Sequence, residues 1–271
     1  MLRLATASFI VLLVTGTPAG LTAQAGPVSG SVNVFAAASL TDAFEAIGVE
    51  FEAAHPDVDV VFNFAASSEL VGAIVDDGAP ADVFASADQN NMHKLVDAGR
   101  NHGEPATFAT NSLQIIVEPG NPLDIAKLDD LAHPDLIFVT CDPAVPIGAY
   151  TQQVLDAADV DVTPASLEEN VRGIVTKVTA GEADAGIVYA TDVLAAGDDA
   201  EGVPIPDDLN VVAEYPIANV TEAGNPDGAA AFTEFVLSDE GQEILAEFAF
   251  GPADAAASAT VVTTYPATTD G

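Results

Sequence analysis

Apolar and polar positions follow two alternating periods along most of this chain. Val32 to Ala37, with Asn33 its one polar position, reads as a strand. After Asp42, Phe44, Ile47 and Phe51 recur three and four residues apart, which puts them on one face of a helix. His55-Pro56-Asp57 breaks that helix, and Val58 to Phe64 returns to a strand pattern. A helix near Glu69 to Val75 stops at Asp77-Gly78-Ala79-Pro80. A short strand at Asp82 to Ala85 and a helix near Asn90 to Ala98 follow.

Asn111 to Val117 is a β-branched apolar run closed by Glu118-Pro119-Gly120-Asn121-Pro122, after which the rhythm restarts. The pattern predicts a helix near Asp124 to Leu131, a strand at Leu136 to Thr140 and a helix near Tyr150 to Ala158. Ser166-Leu167-Glu168-Glu169 has the spacing of a capping box and predicts a helix running to about Val178. Ala185 to Val188 reads as a strand, Asp207 to Asn210 as a loop, and Val211 to Val220 as a long strand interrupted by Pro216. Helices at Asp227 to Leu237 and, capped by Ser238, at Asp239 to Phe248 close the pattern.

Strands alternating with helices argue an α/β fold, with mixed, mostly parallel sheets flanked by helices. Two such units sit in sequence, and the long strand segments near 108–117 and 211–220 are the expected crossings between them. The expected division is a first lobe from 26–109 and 214–251, and a second lobe from 110–213. Residues 252–271 lack periodicity and are expected to be a disordered tail.

The first residues read differently. Arg3, the apolar stretch Phe9 to Val14 and Ala23-Gln24-Ala25 form the three parts of an export signal, with cleavage expected after Ala25. No later apolar run reaches transmembrane length, so no direct membrane insertion is expected after cleavage, and the localisation is periplasmic or otherwise extracytoplasmic.

Charge narrows the partners. The chain carries 42 acidic against 6 basic residues, a formal net charge of −36. Nucleic acid is excluded as a partner, because phosphate contacts need clustered Lys and Arg. The acidic surface keeps the protein soluble, and it matches what adaptation to high salt produces. Cys141 is the single cysteine, expected to be buried and inert. His55, His93, His102 and His133 have neither the spacing nor the company of a bare-cation site, so no metal ion is expected.

Chemistry concentrates in four short segments: Val34 to Asp42, Phe64 to Ser68, Pro143 to Tyr150 and Gly186 to Tyr189. None contains a basic residue. The first two run from a strand through a serine into a helix, where a hydroxyl and unpaired first-turn N–H groups converge. Ser39 and Ser67 read equally as ordinary N-caps on this evidence. A site of neutral donors suits a small, fully deprotonated oxyanion, which has acceptors and no proton to give. A hydrolase is disfavoured: neither serine lies in a Gly-x-Ser-x-Gly elbow, and no histidine falls in these segments.

Six motifs in order then carry a resemblance. They are Phe35-Ala36-Ala37-Ala38-Ser39-Leu40, Gly78 to Asp88 (GAPADVFASAD), Val145-Pro146-Ile147-Gly148, Val171-Arg172-Gly173, Gly186-Ile187-Val188-Tyr189 and Tyr215-Pro216-Ile217-Ala218. Together, over about Ser31 to Phe250, the chain resembles the periplasmic molybdate-binding protein family, a branch of the type II periplasmic solute-binding fold. The resemblance implies two lobes joined by two crossing strands and a non-enzymatic receptor, likewise without catalytic residues or cofactor. Its ligand would be molybdate or tungstate, delivered to an ABC transporter permease, and the protein is expected to be a monomer. It also implies the site residues: Ser39, Ser67 and Tyr189 through hydroxyls, Ile147 and Val171 through backbone N–H. Ile147 departs from the alanine often found at its position in that family. A receptor for sulfate or another tetrahedral oxyanion, or an oxyanion-sensing module, is the alternative.

Overall fold

The computed structural model describes residues 28–254. The expected signal and all but the first three residues of the expected tail lie outside them. The first strand, β1 (Gly30–Ala37), passes through one 3-10 turn (Ala38–Leu40) into α1 (Thr41–Ala54). Then β2 (Val58–Ala65) leads into α2 (Ser67–Val75) and β3 (Val83–Ala85) into α3 (Gln89–Asp97). After β4 (Asn101–Asn111) a single residue, Ser112, separates β5 (Leu113–Val117). The chain continues as β6 (Phe138–Cys141), α4 (Pro146–Ala157), β7 (Ser166–Glu168), α5 (Val171–Thr179), β8 (Ala185–Tyr189) and α6 (Ala190–Ala196). It ends as β9 (Glu201–Pro204), β10 (Ala213–Val220), α7 (Pro226–Leu237) and α8 (Asp239–Glu247).

These strands form two five-stranded sheets, β2-β1-β3-β10-β4 and β7-β6-β8-β5-β9. Each has the same plan: two parallel pairings on one side and two antiparallel ones on the other. Parallel strands need helical crossovers, which explains the strand–helix alternation in the sequence. The chain leaves the first sheet at Ser112 and returns over 205–212 to place β10 between β3 and β4. The result is the two-lobed α/β fold.

The first lobe's core is aromatic: Phe44, Phe51 and Phe232 are fully buried, with edge-on ring contacts of 6.0 Å and 5.3 Å to Phe232. Asp82, also fully buried, accepts from the Asn33 and Asn225 backbone N–H groups at 2.7 Å and 2.9 Å. It thus ties β1 to the start of α7, and Asp88 caps α3 by accepting from the Asn91 N–H. The two carboxylates of the GAPADVFASAD motif are therefore architectural.

Three expected elements are corrected. The helix expected over 124–131 is only a 3-10 turn at Leu128–Ala132. The Asn121 side chain bonds both the N–H and the carbonyl of Ile125, and Asp130 accepts from the Ala126 and Lys127 N–H groups. Local side chains have taken the backbone groups a helix would need. The expected capping box at Ser166 instead lies in β7, paired with β6, and α5 starts at Val171 with Asn170 as its cap. The helix expected from Tyr150 begins four residues earlier, because Pro146 at its first position is already set to a helical φ. Helix α6 and strand β9, too short to carry a clear period, have no counterpart among the expected elements.

Candidate functional site

Strand ends and helix starts from both lobes meet at one small cavity. Ser39, Ser67, Ile147, Val171 and Tyr189 all line it, so the fold brings together every residue the sequence nominated. The rest of the wall is Ala37, Ala38, Ala65, Ala66, Ala87, Val145, Pro146 and Asn170. No charged side chain lines this cavity.

Each first-lobe serine is held by a second group. Ser67, buried at the first position of α2, accepts the Ala87 N–H at 3.0 Å through its Oγ. That bond occupies an acceptor lone pair and leaves the hydroxyl proton free to be given away. Ser39 Oγ lies 2.9 Å from the Tyr215 hydroxyl. With Tyr215 donating, the Ser39 proton is likewise available. Burial pushes the Tyr215 phenol well above its ordinary pKa, so it keeps the proton it would donate.

From the second lobe come main-chain donors. Ile147 is the second residue of α4 and Val171 the first of α5, so neither N–H has a partner inside its helix. Asn170 Oδ1 accepts from the Arg172 N–H at 3.0 Å, which fixes the α5 start against the cavity. Gly148 permits the matching approach of α4. A Cβ there would stand 2.2 Å from the Asp142 carbonyl oxygen.

Tyr189, at the end of β8, is the anomaly. It is 1% exposed, and its hydroxyl has no hydrogen-bond partner. Leaving a buried hydroxyl unpaired costs about 1–3 kcal/mol. Burial, reinforced by the neighbouring Tyr215 and Tyr150, raises its pKa well above the ordinary phenol value, so the group is a neutral donor without an acceptor. Just behind it, Asp192 accepts the Tyr189 N–H at 3.2 Å. Burial raises the Asp192 carboxyl to about 7, against an opposing pull from Arg172.

The arrangement is a set of neutral donors around a space for one small acceptor-rich ligand. A model of the bacterial extracellular solute-binding protein family matches residues 32–251. The chain is 40% identical over 241 residues to the molybdate-binding protein ModA of Mycobacterium tuberculosis H37Rv, covering 88% of this chain and 92% of that one. To ModA of Escherichia coli K12 it is 33% identical over 234 residues, with 82% and 89% covered.

This chain belongs to the ModA family of extracellular solute-binding proteins.

Its fold also matches the periplasmic molybdate-binding protein of Azotobacter vinelandii, with a TM-score of 0.70 at 20% identity, covering 81% of this chain and 98% of that one. Members of this family are binding components rather than enzymes. Sequence reasoning missed the groups that orient the residues around the cavity: Tyr215, Ala87, Asn170 and Asp192. Only Asn170 carried a local signal, as an Asn before an amphipathic helix, and the Ser166 capping-box pattern competed with it. Cys141 is buried as expected, and burial drives its thiol up to about 12.

Proposed function

We propose that this protein captures molybdate or tungstate between its lobes, through the Ser39, Ser67 and Tyr189 hydroxyls and the Ile147 and Val171 N–H groups, and delivers it to an ABC transporter permease. The carrying observation is the unpartnered Tyr189 hydroxyl beside a cavity with no charged wall. A tetrahedral oxyanion without a proton supplies the missing acceptor. Monoprotonated phosphate would also want an acceptor carboxylate for its proton, and none lines the cavity.

Export is supported by the Arg3, Phe9 to Val14 and Ala23-Gln24-Ala25 pattern together with the family. A monomer is part of this reading, and light scattering on the purified protein tests it. The proposed division, 26–109 with 214–251 and 110–213, is supported among the described residues by the two sheets, the first of which runs to Asn111 at the end of β4 and resumes at Ala213 with β10.

Thermal denaturation with equal concentrations of molybdate, tungstate, sulfate and phosphate tests the function. A ligand at 1,000 times its Kd stabilises by about 4 kcal/mol. Stabilisation by molybdate or tungstate is expected. A shift with sulfate alone would transfer the site to the alternative, and no shift with any oxyanion would remove the reading.

A further inference from the structure

Arg172 belongs to α5 of the second lobe, yet its guanidinium reaches the first. It pairs with the Asp42 carboxylate in the first turn of α1, and its Nε donates to the Ala38 carbonyl at 3.4 Å. The two ends of this bridge adjoin the cavity: Ala38 lines it beside Ser39, and Val171 precedes Arg172. The pair is half-exposed, at 35% and 40% of the two side chains, so as a surface ion pair it adds little to stability. Its position is what matters, because it can form only when the lobes are together.

We propose that Arg172 is a positioning residue: its bridge to Asp42 and Ala38 latches the lobes closed and so holds the Val171 N–H opposite Ser39. The ligand affected is the oxyanion of the proposed function, and the effect on affinity rests on that reading. A latch of this kind tightens binding by holding the closed state against reopening once the ligand has entered, without touching the ligand. The competing role for Arg172 is a long-range attraction of the anion by its charge. The two roles differ in sign when Asp42 is neutralised. Asp42→Asn breaks the latch but leaves the cation unopposed.

The readout is intrinsic. The chain has no tryptophan, and Tyr150, Tyr189 and Tyr215 form a series of ring contacts at the cleft. Stopped-flow tyrosine fluorescence with sodium molybdate should show Asp42→Asn weakening Kd by about two- to fivefold, all of it in a faster off-rate. Arg172→Gln should match it, and the double variant should be no worse than either single one. Tighter or unchanged binding by Asp42→Asn, or a loss confined to the on-rate, would overturn the latch. If the wild-type protein binds neither molybdate nor tungstate, the proposed function fails by itself. The latch is then judged without ligand, by distances between spin labels on Glu69→Cys in α2 and Gln153→Cys in α4. Asp42→Asn should shift that distribution to longer distances, and superimposable distributions would overturn the proposal.

Discussion

The two walls of the cleft solve the same chemical problem with different parts. The first lobe presents serine hydroxyls, each already engaged by a second group: Ser67 by the Ala87 N–H and Ser39 by Tyr215. The second lobe presents helix-start N–H groups and one tyrosine whose hydroxyl has no partner. The hydroxyls of the first wall are therefore already engaged by the protein itself, and that of the second wall is not. Affinity and stability should separate accordingly: changes on the first wall damage both, whereas changes on the second move them independently.

The largest expected effect sits behind the second wall. Asp192 keeps its proton up to a pH of about 7 when folded, against an ordinary value of 3.8. Between those values the unfolded chain has released a proton that the folded chain still holds, so stability falls as pH rises from about 4 to 7. The upper bound on that loss is roughly 4 kcal/mol. Denaturant melts across this range should show the decline, and Asp192→Asn, which keeps an acceptor for the Tyr189 N–H, should flatten it. An unchanged slope in the variant would assign the decline elsewhere.

Next in size is Tyr189→Phe. Removing a donor to an anion should weaken molybdate binding by roughly ten- to a hundredfold. The same change deletes an unpaired buried hydroxyl, so the melting temperature without ligand should hold or rise. A variant that loses stability and keeps affinity would reverse the contrast between the walls.

Ser67→Ala should behave in the opposite way. It removes a ligand donor and also orphans the buried Ala87 N–H, so the ligand-free protein should lose about 1–3 kcal/mol as affinity falls. Calorimetric titration and chemical denaturation on one preparation check both halves. The smallest effect is expected for Ile147→Val. The side chain is 1% exposed, so stability should drop by about 1 kcal/mol. Its N–H is unchanged, and molybdate affinity should stay within about twofold; a larger loss would mean that the side chain shapes the cleft.

Local pattern made most of the fold legible. The runs at Val32 to Ala37 and Val58 to Phe64, the Phe44-Ile47-Phe51 face and the closing helices all became the expected elements, because period and burial agreed there. The failures lie where side chains compete with the backbone. Asn121 and Asp130 turned a helical pattern into a capped loop, and β7 drew Ser166 into a strand. The candidate site was legible at its side-chain donors, since a serine between strand and helix is visible in sequence. Ile147 and Val171 came from resemblance alone: a backbone N–H leaves no mark on residue identity.

Sequence by itself determined the alternation of strands and helices, the scarcity of cations and the family. It also determined the type of site, because neutral donors at helix starts are a local property. Tertiary structure alone decided how those donors are oriented and coupled. The Ser39–Tyr215 contact joins residues 176 apart, and the Arg172–Asp42 bridge joins residues 130 apart. That the Tyr189 hydroxyl has no partner is set by everything packed around it. Such contacts depend on how two lobes meet, and no window along the chain contains both partners.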